Sequence, residues 1–290
     1  MSMKKKLLSA LLSGIMLVSA CAQPEPPQEI AVDPRGSAKV LDGKTVVVSI
    51  FANDYVCEWD FTKEADVEMR NKAKADLGVA LDYISSESKK WGKNAEFVYD
   101  WEADPDLYAE RNIPYEACND EFWTSRSTKR ILEHTFDSDA LLERYAADNI
   151  FFIFHFNTPL EHQCSSYAVN SLIYSNHYYE YCVINMTFMG GFTSPTEYAH
   201  EILHLFGVLD FYMADDSFGI SQEFVDYCAE NYPDELMYIT YENVGKLPPD
   251  RITATINEFT AYYIGWTDHS DEQERFGMHI SEHVPKIDEE

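Results

Sequence analysis

The stretch that decides the reading is Ser194-Pro195-Thr196-Glu197-Tyr198-Ala199-His200-Glu201-Ile202-Leu203-His204-Leu205-Phe206-Gly207-Val208-Leu209-Asp210-Phe211-Tyr212. Ser194, Pro195 and Glu197 read as a capping box with a favoured first-turn proline, so a helix begins here. Gly207 is its natural stop. His200 and His204 are four residues apart, which puts both imidazoles on one helical face. That spacing lets two ring nitrogens reach one tetrahedral Zn2+. Glu201 flanks the same place and has the chemistry of a general base toward water. A third protein ligand is needed, and Asp210, just past Gly207, is the candidate if the glycine turns left-handed and folds the chain back. Glu223, nineteen residues after His204, is the alternative, but it would leave Gly207 and Asp210 unexplained. Tyr212, Tyr238 and Tyr241 are candidate oxyanion donors, since a phenol can hydrogen-bond a developing charge.

The string HEILHLFGVLDFY, residues 200–212, resembles the HExxHxxGxxD zinc motif of metzincin-like peptidases, with snapalysin and the immune-inhibitor-A family as the closest types. Where those families commonly have Leu-Pro before the Asp, this chain has Val208-Leu209. The resemblance implies a zinc-dependent endopeptidase with His200, His204 and Asp210 on the metal and Glu201 as general base. It also implies a Met-turn beneath the metal, for which Met237 in Asp234-Glu235-Leu236-Met237-Tyr238 is similar. Ile264-Gly265-Trp266 resembles the end of the C-terminal helix in immune-inhibitor-A-like domains. The implied fold is a metzincin-like zincin, with a mixed twisted sheet, an active-site helix and a small C-terminal helical subdomain.

The remaining elements agree with an α/β (α+β) class. Residues 45–51 and 95–101 read as strands, and residues 149–156 (NIFFIFHF) as a central strand apolar on both faces. Lys63 to Lys90 is helical by its apolar spacing, and residues 128–148 form one or two helices. Residues 165–173 and 179–188 read as a hairpin, and residues 252–266 as a last helix. His155, inside the apolar strand, reads as a core histidine rather than a ligand.

Residues 1–20 read as a signal peptide, with Lys4, Lys5 and Lys6 before a short uncharged apolar run. Val18-Ser19-Ala20-Cys21 resembles the lipobox of bacterial lipoproteins, which implies lipidation of Cys21 and a bacterial cell-envelope address. Residues 21–39 are a Pro-rich tether, 40–270 the catalytic domain and 271–290 an acidic tail expected to fray. Among the other cysteines, Cys164 and Cys182 flank the hairpin and are the favoured bridge.

The 290 residues carry 22 Lys+Arg against 50 Asp+Glu, a net charge of −28. Loss of three lysines with the signal leaves 19 against 50, or −31. Such a charge excludes nucleic acid as a partner and leaves lipid contact to the anchor alone. The expected partner is a protein or peptide substrate. A non-catalytic surface binding protein on a peptidase-like scaffold is the alternative, and intact Glu201 argues against it. Adjacent Asp215 and Asp216 lack the alternating spacing of a calcium loop.

Overall fold

The computed structural model describes residues 37–38, 40–114, 116–119, 125–163, 165–170, 179–215, 219–239 and 246–278. Cys21, Cys164, Asp216, Tyr241 and the expected signal and tether lie outside them, apart from a few tether residues.

The centre is β1 (Gly43–Asn53) beside β4 (Asn149–Phe156), paired in parallel from Thr45↔Asn149 to Ala52↔Phe156. Every residue of β4 is buried, as a strand with apolar side chains on both faces requires. Its alternate residues serve two cores. Phe151 and Ile153 join Val47 and Phe51 on one face, and Phe152 and Phe154 join Val46, Val48 and Ile50 on the other. Along the far edge of β1, β2 (Ala95–Val98) pairs first and β3 (Tyr108–Asn112) second, both parallel. On the other side β6 (Tyr181–Asn185) pairs with β4 in parallel, and β5 (Tyr167–Val169) closes the edge antiparallel. The sheet is thus mostly parallel, in a mixed α/β fold.

Helices cover both faces. α1 (Glu64–Lys90) buries Ala73, Leu77, Ala80, Leu81 and Ile84 against the first core, where α4 (Pro195–His204) packs beside it. α2 (Ser125–Thr135) and α3 (Ser138–Tyr145) cover the other face with Leu132 and Leu141. Between β6 and α4 runs the short hairpin β7 (Thr187–Phe188) and β8 (Gly191–Phe192). After α4 come α5 (Gln222–Asn231), α6 (Glu258–Tyr263) and α7 (Asp271–Phe276), joined by edge-to-face contacts of Phe224 with Phe211, Phe259 and Phe276.

Two expectations need correction. The last long helix is only Glu258–Tyr263, because residues before it are used elsewhere. Leu236 N–H donates to the Thr255 carbonyl at 2.9 Å, and Thr255 N–H to that of Asp234 at 2.8 Å, groups that a helix would have kept for itself. Gly265 does end α6, at φ +76°, and Trp266 Nε1 donates to the Leu41 carbonyl at 2.6 Å. The acidic tail starts as structure: Ser270 caps α7 through Gln273 N–H, Gly277 ends it at φ +65°, and Met278 is fully buried. Strand β3, not among the expected elements, is held by its parallel ladder to β1. Cys182 is buried on β6, and Cys164, its expected bridge partner, lies outside the described residues.

Candidate metal centre

α4 starts at Ser194 and Pro195 as expected, but without the capping box. The Ser194 hydroxyl makes no cap bond, and the Glu197 carboxylate instead accepts from Ser166 Oγ at 2.5 Å and Thr193 Oγ1 at 2.7 Å. Glu197 thus ties the helix start to the β5 edge, while its charge still complements the helix N-terminus.

Past His204 the helix tightens into a turn, with Gly207 N–H donating to the His204 carbonyl at 3.0 Å. Gly207 sits at φ +99°, the left-handed conformation that a fold-back requires. The reversal brings Asp210 onto the helix face. Its Oδ1 lies 3.0 Å from His200 Nε2 and 3.3 Å from His204 Nε2, and the two Nε2 atoms are 3.1 Å apart. Glu223 is exposed on α5 and outside this cluster.

The outer nitrogens fix the tautomers. His200 Nδ1 donates to the Leu236 carbonyl at 3.0 Å and His204 Nδ1 to the Val208 carbonyl at 2.8 Å. A carbonyl only accepts, so each neutral imidazole turns an Nε2 lone pair inward. Two lone pairs and a carboxylate oxygen then face one another, an arrangement that needs positive charge at its centre. Burial would raise the Asp210 carboxyl, but His204 and His200 outweigh it and hold it well below the carboxylate range. Burial would lower both imidazoles, and Asp210 pushes both up instead. Ligands at about 2.0–2.1 Å on a tetrahedral ion stand about 3.3 Å apart, close to the observed separations. The donor set therefore fits a small divalent cation, and His200, His204 and Asp210 form a group able to hold one.

The turn under the site comes from residues 234–238. The Leu236 carbonyl orients His200, and the Met237 carbonyl accepts Phe211 N–H at 2.9 Å, next to Asp210. Met237 is fully buried below them. Glu235, unremarked in the sequence, shapes this turn: its carboxylate accepts Met237 N–H at 2.9 Å and the Thr260 hydroxyl. Burial pushes the Glu235 carboxyl up to about 7, against the lowering effect of those donors. Only its position beside Met237 could have pointed to it.

A cavity of about 330 Å³ lies over the cluster, lined by His200, Glu201, His204, Asp210, Tyr212 and Asn170 among others. Glu201 is buried at its wall. Tyr212 stacks on His200 with ring centroids 6.3 Å apart. Asn170, not singled out by the sequence, donates to the His204 carbonyl at the end of α4. A second cavity of about 70 Å³ shares His200, Glu201 and Tyr212 and reaches Phe188, Ile239 and Leu247. Tyr238 packs against the core instead of lining either cavity. His155 is a core residue, bonded to Tyr198 Oη at 3.0 Å and Ser49 Oγ at 3.3 Å, and burial lowers it to about 3.

No family model, curated protein or solved structure matches the chain.

Proposed function

We propose that the protein is a zinc-dependent endopeptidase of metzincin-like type, anchored at the bacterial cell surface through lipidated Cys21. The observation that carries this reading is the convergence of His200 Nε2, His204 Nε2 and Asp210 Oδ1 within 3.3 Å, beside a buried Glu201 in an open cleft. Two imidazoles and one carboxylate are the ligand classes of a catalytic zinc, which leaves a coordination position for reactants. Zinc held there would supply Lewis acidity toward water and toward a scissile carbonyl.

The chain's own residues do the rest. The carbonyls of Leu236 and Val208 hold the imidazoles in the ligating tautomer. Glu201 takes a proton from the attacking water and returns it to the departing amine. Tyr212 lines the cleft, and its phenol is the donor this reading gives to the developing oxyanion. Met213, exposed at 58% on the same cavity, offers an apolar rim to a peptide side chain.

Glu201→Gln is expected to keep fold and zinc content while losing peptide-bond cleavage by about 100-fold or more. Digestion of a peptide library, with metal analysis of both proteins, checks it. Equal cleavage by the variant would remove Glu201 from its role, and zinc with no cleavage by either protein would favour a binding scaffold.

A further inference from the structure

We infer that Cys57 and Cys118 are joined by a disulfide in the exported protein, and that this bond braces one wall of the cleft. The inference is independent of the peptidase reading and shares with it only the exported address.

The two cysteines are 61 positions apart, but the parallel pairing of β1 and β3 brings them together. Asn53 and Asn112 stand opposite each other at the strand ends, and Ile113 N–H donates to the Asn53 carbonyl at 2.7 Å. Both chains therefore leave the sheet side by side. Asp54 then fixes both cysteine backbones. Its Oδ1 accepts Val56 N–H at 2.8 Å and Cys57 N–H at 2.7 Å, and its Oδ2 accepts Cys118 N–H at 2.9 Å. Cys57 is 1% exposed and Cys118 0%, and their sulfurs and the Asp54 carboxylate lie within 4.8 Å of one another. In the structure both cysteines are free thiols, and of the three side chains only the two sulfurs can be joined by oxidation.

The neighbouring Cys57, burial and the Asp54 charge push the Cys118 thiol far up. The folded, reduced Cys118 is a poor nucleophile, so the bond closes while the chain folds. A small-molecule or protein disulfide is the oxidant. One cysteine thiolate attacks it and displaces a donor sulfur, and the second then displaces the other donor sulfur. The two cysteines are oxidised, the donor disulfide is reduced to two thiols, and the two protons end on the donor sulfurs.

The link to the cleft runs through Asn185. Its Nδ2 donates to the Cys118 carbonyl at 3.2 Å and to the Ser165 carbonyl at 3.0 Å, and its backbone N–H donates to Ser166 Oγ at 3.1 Å. Tyr167 Oη donates to the Ala117 carbonyl at 3.1 Å. Ser165, Ser166 and Tyr167 line the larger cavity.

The test is to express the full chain in a bacterial envelope, unfold it without reductant in an alkylating agent, and map its peptides. The expected result is a linked pair of peptides containing Cys57 and Cys118, with alkylated Cys182 and Cys228. Reduction of the folded protein should lower its melting midpoint by roughly 5–10 °C. Cys57→Ala/Cys118→Ala should melt where the reduced wild type does. Alkylation of both Cys57 and Cys118 in the mapped wild type would overturn the inference, as would a second stoichiometric metal ion released when the cysteines are replaced. If the double variant fails to fold, the wild-type map decides alone.

Discussion

At the scale of single residues, the site is an arrangement of unlike constraints on each side chain. His200 and His204 each spend one nitrogen on a backbone carbonyl and turn the other inward. Asp210 supplies the charge that makes the three inward atoms compatible with a cation and not with one another. Asp210→Ala is expected to weaken zinc binding by about 100-fold or more, because it removes the only anionic member of the set. Glu223→Ala should leave affinity unchanged. Competition with a chromophoric chelator separates the two variants. Glu235 gives a different signature. Its folded carboxyl is raised to about 7 from a usual 4.5, so its protonated form is the one the fold prefers. The stability it supports is complete below about pH 4.5 and is lost as pH rises through about 7, about 3 kcal/mol in all. Glu235→Gln, which stays neutral, should flatten that part of the curve. Urea midpoints of both proteins between pH 4 and 8 check the sign.

At the scale of elements, α4 and the reversal after it were legible from the chain alone. A four-residue His spacing has one geometric meaning on a helix, and Gly207 is the residue type that reverses a chain at low cost. Gly207→Ala is expected to cost about 1–2 kcal/mol, from the positive φ that a side chain resists. It should also reduce zinc occupancy by displacing Asp210. Unfolding curves and metal content read the two effects separately. The capping box was less legible. Ser194 and Glu197 satisfy a local pattern, but Glu197 is bonded instead by Thr193, four residues before it, and by Ser166, which arrives only with the sheet. The C-terminal helix shortened for the same reason. The helix reading continued through residues 252–257, yet Asp234 and Leu236 took the backbone groups of Thr255.

At the scale of the whole molecule, the charge of −28 sets a field around the cleft without choosing its chemistry. Cleavage of basic peptides should slow with added salt through a rising KM, while neutral peptides stay nearly unaffected. Initial rates at 20 mM and about 300 mM salt compare the two classes. No helix among the described residues is long and apolar enough to cross a membrane.

The sequence by itself determined what depends on neighbours within one or two turns. That includes the paired imidazoles, the glycine reversal, the doubly apolar β4 and the alternation that divides it between two cores. Tertiary structure decided what depends on groups far apart in the chain. It selected Asp210 over Glu223 for the cluster, because the first lies on the returning loop and the second on a solvent face of α5. It set the imidazole tautomers through carbonyls at residues 208 and 236, atoms that every residue carries and no side-chain pattern reveals. It also placed Cys57 beside Cys118, since strand order, not spacing, determines which loops leave a sheet together.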